Sequence, residues 1–220
     1  MKKLIALMMV VALTFASAGA LAEWESFDVS RFMTEDYRIY DAPQGYTQIE
    51  CPKAMMTGIW DDVQVGDVVE VYSDVFVMVV EGMPLFATTL HVYGDDHPNY
   101  KEIQIFTDTD QPGIFNAYVF DLPLYGMFRG TSQDGRTVQR ATLFMNDESL
   151  GLVEDLAKNH AASFLLIGED DSVRRGTLFV DEAGFGDMYQ RLSTAGSYPD
   201  GLRDAYPSTV IMNWDPEASY

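Results

Sequence analysis

The chain has 220 residues, of which 47% are hydrophobic, and its 34 acidic and 14 basic side chains give a formal net charge of -20. Such a surface repels the phosphates of nucleic acids and of anionic lipids, so neither is an expected partner, whereas cations, neutral ligands and proteins are compatible with it. Cys51 is the one cysteine, so no disulfide can form within the chain. Because Pro52 favours an extended or turn conformation at Cys51, we interpret this thiol as a buried, inert group.

The N-terminus carries the pattern of a secretory signal peptide. Two lysines precede an apolar run at residues 4–13, and small residues then lead to an A-x-A site that ends at Ala22. The run is shorter than the roughly 20 apolar residues that a membrane-spanning helix needs. We therefore predict that residues 1–22 are removed and that the mature chain, with no membrane span, is secreted or periplasmic.

The first half of the mature chain predicts strands separated by short turns. Residues 24–40 have no clear period, and either a short helix or irregular chain remains open for them. The strands that follow are predicted at 57–60, 63–72, 75–80, 85–93 and 103–106. The continuous apolar run Val75–Val80 is typical of a central strand covered on both faces, and we expect Pro84 to end it.

The second half predicts five more strands and two helices. The strands are predicted at 114–120, 126–131, 137–145, 164–167 and 177–180. A helix is expected over about 147–159, because Asn146 or Asp147 can cap its first turn. Phe185 and Met188 lie at helical spacing directly after the last strand, which predicts a second helix over about 183–192.

These elements predict a β-rich α+β fold, mainly an antiparallel β-sandwich or barrel-like sheets with two short helices. Residues 23–192 form the predicted globular domain. A faint likeness between 90–108 and 165–181 keeps open two similar halves dividing near 110, although acidic turns between apolar strands resemble one another in any case. Prolines after residue 193 predict an irregular C-terminal tail, 193–220, that packs on the body.

One stretch resembles a known family. In Ser163–Leu192 a strand, an acidic turn and a second strand lead to Ala183, Gly184 and Phe185, which open a short helix. This arrangement is similar to the C-terminal end of exported bacterial β-sandwich proteins of the invasion-associated locus B kind. The resemblance implies an exported sandwich and no particular activity. Members of that group usually carry cysteine pairs, which this chain lacks.

A metal site is the chemical hypothesis with the most support in the sequence. His91, Asp95 and His97 flank a predicted turn, and imidazole with carboxylate is a ligand set that suits zinc. The competing interpretation is a strand histidine and a turn histidine with no ligand. Phosphate-binding glycine loops and a G-x-S-x-G motif are absent, so the sequence predicts no cofactor.

Two hypotheses of function follow. The first is an exported, non-catalytic bacterial module that binds a protein or glycan partner or has an envelope role. In that case Trp24, Trp60 and Trp214 are the candidates for an aromatic platform under sugar rings, although most aromatic residues of a β-rich domain fill its core. The alternative is a metal-dependent hydrolase with the His/Asp site. The sequence predicts no oligomeric state.

Overall fold

The computed structural model describes residues 27–43, 45–54, 56–61, 71–94, 99–122, 128–131, 133, 135–159, 161–195 and 208–218. The predicted signal peptide, Trp24, Asp95 and His97 therefore lie outside the described residues.

The described residues form strands, two α-helices and one 3-10 helix at Val29–Phe32. The strands are β1 (Arg38–Asp41), β2 (Thr47–Glu50), β3 (Met56–Trp60), β4 (Val71–Val80), β5 (Met83–Gly94), β6 (Tyr100–Asp108), β7 (Phe115–Asp121), β8 (Phe128–Thr131), β9 (Thr137–Phe144), β10 (Ala161–Gly168), β11 (Val173–Val180) and β12 (Ser208–Trp214). The helices are α1 (Gly151–Lys158) and α2 (Glu182–Ala195).

The strands form two antiparallel sheets of six strands each. The first sheet has the order β1-β2-β4-β5-β9-β8, and the second has the order β3-β11-β10-β6-β7-β12. The path through the described strands ends at β12 and β8, so the sheets stay open. The prediction of a β-rich α+β fold with antiparallel sheets and two helices is confirmed. Of the two predicted arrangements, sandwich and barrel, the described strands form the sandwich.

The two sheets are joined through β4. The first part of this strand pairs with β3, where Val71 lies opposite Gly58, and its second part pairs with β2 along the same edge. At Gly58 a Cβ atom would lie 2.6 Å from the Cβ of Val71, closer than side-chain atoms approach one another. Glycine at this position therefore allows the ladder to pass from one sheet to the other.

A buried glutamine makes a second connection between the sheets. Gln139 of β9 lies in the first sheet, and its side-chain amide donates to the backbone oxygen of Tyr100 at 2.9 Å. Its side-chain oxygen accepts from the backbone N–H of the same tyrosine at 3.1 Å, at the start of β6 in the second sheet. This pair of hydrogen bonds gives both backbone groups of a buried residue a side-chain partner.

The hairpin β10–β11 and helix α2 follow one another as predicted, and the predicted side of β11 faces the helix. Leu178 is fully buried, as are Phe185 and Met188 of α2, and the three belong to one hydrophobic cluster. Phe179, the next residue along the strand, is 45% exposed on the opposite face. The alternation of this strand is therefore confirmed.

Other boundaries differ from the predictions for local reasons. Helix α1 begins at Gly151, because Asn146 caps a preceding turn in which its Oδ1 accepts from the backbone N–H groups of Glu148 and Ser149. Pro84 lies inside β5, opposite Val79, and does not end a strand. It is tolerated there because the described partner on the other side of β5 begins only at Ala87.

Two further observations concern the long-range order of the chain. The tail is not irregular throughout, because β12 pairs with β7 and so packs on the body as expected. The resemblance between residues 90–108 and 165–181 does not reflect a repeated hairpin, because β5 and β6 lie in different sheets whereas β10 pairs with β11.

The burial difference within β11 predicts the effect of two truncations. Leu178→Ala should lower the free energy of unfolding by about 2 to 5 kcal/mol, since it removes a buried side chain. Phe179→Ala should change it by about 0.5 kcal/mol, since that ring is half exposed. Urea denaturation of both variants measures the difference, and a reversed order would mean that the strand register is shifted by one residue.

The close approach at Gly58 gives a second prediction. Gly58→Ala should lower the free energy of unfolding by about 1 to 3 kcal/mol, because the added methyl group overlaps Val71. Gly186→Ala is the control, since the space around that glycine in α2 is empty. It should raise stability by roughly 0.5 to 1 kcal/mol, the difference in helix propensity. Equal effects of the two changes would contradict the proposed role of Gly58.

Candidate functional site

The structure describes one of the three residues of the predicted metal site. His91 lies on β5, opposite Arg140 of β9, on the face of the first sheet that does not carry the main core. Asp95 and His97 are outside the described residues. Among the residues that are described, no three histidine, cysteine or acidic side chains form a cluster that could hold a metal ion. The His91, Asp95 and His97 site stays a prediction.

The three tryptophans differ in their environments. Trp60 is buried against Phe164, and the Arg174 guanidinium lies 3.9 Å from the centre of its ring, so it is a core residue. Trp214 is half-buried at the end of β12 and contacts the rings of Phe106 and Phe115, with centroid distances of 5.1 and 6.4 Å. Of the two described tryptophans, Trp214 is the less buried.

The lone cysteine is buried, as predicted. Cys51 is 4% exposed and borders a small cavity of about 130 Å³ between the β2–β3 connection and α2. Burial raises the pKa of its thiol well above the ordinary value, and the charge of Asp187 adds to the increase. The thiol is therefore protonated at neutral pH, which is the opposite of what a nucleophilic cysteine requires.

A groove of about 620 Å³ crosses one face of the first sheet. Its lining residues are Arg38, Gln48, Glu50, Cys51, Pro52, Val75, Phe76, Thr89, His91 and Arg140. The two arginines belong to β1 and β9, which are separated by β2, β4 and β5. At the usual strand spacing, their backbones lie roughly 19 Å apart, so the two guanidinium groups do not converge on one point.

A second depression, of about 430 Å³, combines polar groups from several elements, and we call it the Asp155 cleft. Its lining residues are Asp108, Thr109, Asp110, Gln111, Asn116, Tyr118, Gly151, Glu154, Asp155, Lys158, Asn159, Met212 and Asn213. They come from the end of β6, the β6–β7 connection, β7, α1 with the residue that follows it, and β12. The cleft thus lies where one end of the second sheet meets a helix.

The Asp155 carboxylate is the centre of the cleft. One of its oxygens, Oδ2, accepts hydrogen bonds from Thr107 Oγ1 at 2.7 Å, Asn116 Nδ2 at 2.9 Å and Tyr118 OH at 2.8 Å. These three donors are buried on neighbouring strands of the second sheet, whereas Asp155 projects from α1. Hydrogen bonds to an ionised group are stronger than neutral ones, so the network fixes the carboxylate in place.

The network extends to the edge of the sheet. Asn116 Oδ1 accepts from the backbone N–H of Asn213 at 3.1 Å. Asn213 has a φ of 54° and lies in the irregularity of the β12–β7 pairing between Ile211 and Trp214. Asn116 therefore links Asp155 to the bend that directs Trp214 onto its two phenylalanine neighbours.

Local hydrogen bonds also fix the walls of the cleft. In the β6–β7 connection, Thr109 Oγ1 donates to the backbone oxygen of Ile114 at 2.9 Å and accepts from the N–H of Gln111 at 3.2 Å. Asn159 closes α1, because its side-chain amide donates to the Asp155 backbone oxygen at 2.9 Å. A cleft with fixed walls loses little conformational entropy when it binds a ligand.

A second carboxylate borders the cleft. Glu154 accepts hydrogen bonds from Lys158 Nζ and from Tyr189 OH, the latter at 2.9 Å. The Lys158 hydrogen bond, followed by the Tyr189 hydrogen bond, lowers the pKa of this carboxyl group. The cleft therefore presents carboxylates together with neutral amide and hydroxyl groups, an arrangement that can bind hydroxyl groups through several hydrogen bonds.

Sequence reasoning did not identify Asp155. The missed signal is the polar pair Thr107 and Asn116, which occupy core-facing positions in otherwise apolar strands. Buried polar side chains need a partner, and the nearby helix supplies one.

Comparisons with protein-family models, with curated proteins and with solved structures returned no match. The resemblance of Ser163–Leu192 to the invasion-associated locus B group therefore stays a prediction. No helix within the described ranges is long and apolar enough to cross a membrane.

The buried tyrosine of the network predicts a pH dependence of stability. Burial raises the pKa of the Tyr118 phenol, and the hydrogen bond to Asp155 raises it further. In the unfolded chain a tyrosine loses its proton near pH 10, at about its ordinary pKa. Because the folded-state pKa is higher, the stability that this group contributes is complete below about pH 10 and is lost as the pH rises above it.

We therefore expect Tyr118→Phe to reduce the alkaline loss of stability. Urea denaturation between about pH 9 and pH 11.5 should show a shallower decline in the variant than in the wild-type chain, by up to about 1.4 kcal/mol per pH unit. Tyr37, which donates to Asp187, shifts in the same direction and keeps some decline in the variant. If the free energy of unfolding declines equally with pH in the two proteins, Tyr118 is not a cause of the alkaline loss of stability.

Proposed function

We propose that this chain is an exported, non-catalytic binding module whose ligand is a neutral glycan, bound in the Asp155 cleft. The observation that carries the proposal is the Asp155 carboxylate, which three buried donors hold at the wall of an open cleft. A binding site that is already ordered in the free protein is typical of small-ligand recognition.

The hydrogen-bonding groups of the cleft suit sugar hydroxyls. A hydroxyl group both donates and accepts, so it pairs with carboxylates such as Asp155 and Glu154 and also with amides such as Asn159. Asp108 and Asp110 add further acceptors at the rim. This mixture of hydrogen-bond acceptors and donors in one cleft favours a ligand with many hydroxyl groups.

The charge of the cleft favours a neutral ligand. Four of its side chains are acidic and only Lys158 is basic, and that lysine is paired with Glu154. An anionic ligand such as a phosphate or a uronic acid would meet repulsion here, in addition to the net charge of -20 on the whole chain.

Trp214 does not contribute to this cleft. Its ring packs on Phe106 and Phe115, whose strand neighbours Thr107 and Asn116 point to the other face of the sheet and bind Asp155. Export, predicted from residues 1–22, would bring the protein into contact with extracellular or envelope glycans.

Isothermal titration calorimetry of the mature chain tests this proposal. The probes are maltohexaose, cellohexaose, xylohexaose and chitohexaose, which differ in linkage and in substituents. We expect at least one to bind, and Asp155→Asn to weaken that binding by about tenfold, the effect of losing roughly 1.4 kcal/mol of charge-assisted hydrogen bonding.

The control is Phe179→Ala, which removes a half-exposed aromatic ring on β11, away from the cleft. It should leave the affinity unchanged. Absence of binding to all four probes, or equal binding by wild-type and Asp155→Asn protein of unchanged melting temperature, would refute glycan binding at this cleft.

A further inference from the structure

We infer that β12 is an assembly edge at which a second copy of this chain adds its own β12 in antiparallel orientation. This inference does not depend on the ligand of the Asp155 cleft. It starts from the position of β12 at the end of the second sheet, where one side of the strand pairs with β7 and the other side has no strand partner among the described residues.

The composition of β12 differs from that of the other terminal strands. Its sequence from Ser208 to Trp214 has seven residues and no charge. The terminal strands of the first sheet have four residues each and do carry charges, Arg38 and Asp41 in β1 and Arg129 in β8. Short length and charged side chains are the usual means by which proteins prevent pairing at a sheet edge, and β12 has neither.

In having no charged residue, β12 resembles two strands that have neighbours on both sides. β3 and β10 are likewise uncharged, and each of them pairs with a strand on both sides. β12 also exposes large apolar side chains, since Ile211 is 42% and Met212 60% exposed. A strand of this kind is suited to a second hydrogen-bonded neighbour.

A second copy is the occupant that fits best. Two antiparallel β12 strands related by a twofold axis oppose no charged residues, and such an isologous contact closes as a dimer. The irregularity after Ile211 limits regular pairing to the first part of the strand. Repulsion between the acidic bodies of the two copies is screened at physiological ionic strength, whereas the backbone hydrogen bonds at the edge are not.

Sedimentation equilibrium of the mature chain tests the inference. We expect a monomer–dimer equilibrium, and Ile211→Lys should raise its dissociation constant at least tenfold, because the twofold axis brings the two new charges close together. Thr209→Lys, at another exposed position in the regularly paired part of the strand, should have the same effect. A wild-type chain that stays monomeric up to about 1 mM overturns the inference, since specific pairing is stronger than that limit.

The matched control is Ile59→Lys. Ile59 is an isoleucine of β3 that is 45% exposed, and the strand register places it on the same face of the second sheet as Ile211. The dissociation constant of this variant should equal that of the wild type. If Ile59→Lys weakens the dimer as much as Ile211→Lys does, the interface is the sheet face and not the edge. The inference is then wrong.

Salt dependence supplies an independent measurement. Because both copies carry the same net charge, raising the salt concentration from about 0.05 M to about 0.5 M should strengthen a dimer formed through uncharged strands. A dimer that weakens with added salt would instead be held by ion pairs, and this result would overturn pairing through β12.

Discussion

The pairing of Gly58 with Val71 is the constraint on which the rest of the structure depends. At this point a single strand, β4, belongs to both sheets, and the ladder continues from one to the other without a break. The two sheets can then share one hydrophobic cluster with both helices. Gln139, which binds both backbone groups of Tyr100, holds the sheets together at a second place. A larger residue at 58 would separate β3 from β4 and open the core along that line.

The candidate site exists because polar side chains buried in the same core need hydrogen-bond partners. Thr107, Asn116 and Tyr118 lie on the buried face of the second sheet, where polar groups without partners are costly. Asp155 of α1 accepts from all three, and in the described residues no buried side-chain nitrogen or oxygen lacks a partner. The hydrogen bonds that make the helix compatible with the sheet thus also place a carboxylate at the wall of an open cleft. The contacts that hold the helix on the sheet therefore also fix the geometry of the candidate site.

The sequence predicted those parts of the fold whose signals are local. The hairpin β10–β11 and helix α2 have strong periodicity and almost no loop between them, so burial of Leu178 and exposure of Phe179 could be inferred directly. Strands β1, β2 and β12 were missed because they are short or lie among prolines, and their pairing partners are distant in sequence. The assignment of β5 and β6 to different sheets also depends on distant contacts. Asp155 could not be distinguished among 34 acidic residues until its three donors were located.

The order of strands in the second sheet has a consequence for how the chain folds. β3 lies near the N-terminal end of the chain, yet its partner β11 comes more than one hundred residues later, and β12 completes the sheet from the last part of the chain. Contacts between such distant segments form slowly, because a long loop must close before they gain any energy. The second sheet therefore cannot close until β11 and β12 have both been synthesised, and until then β3 lacks the strand that covers its second edge.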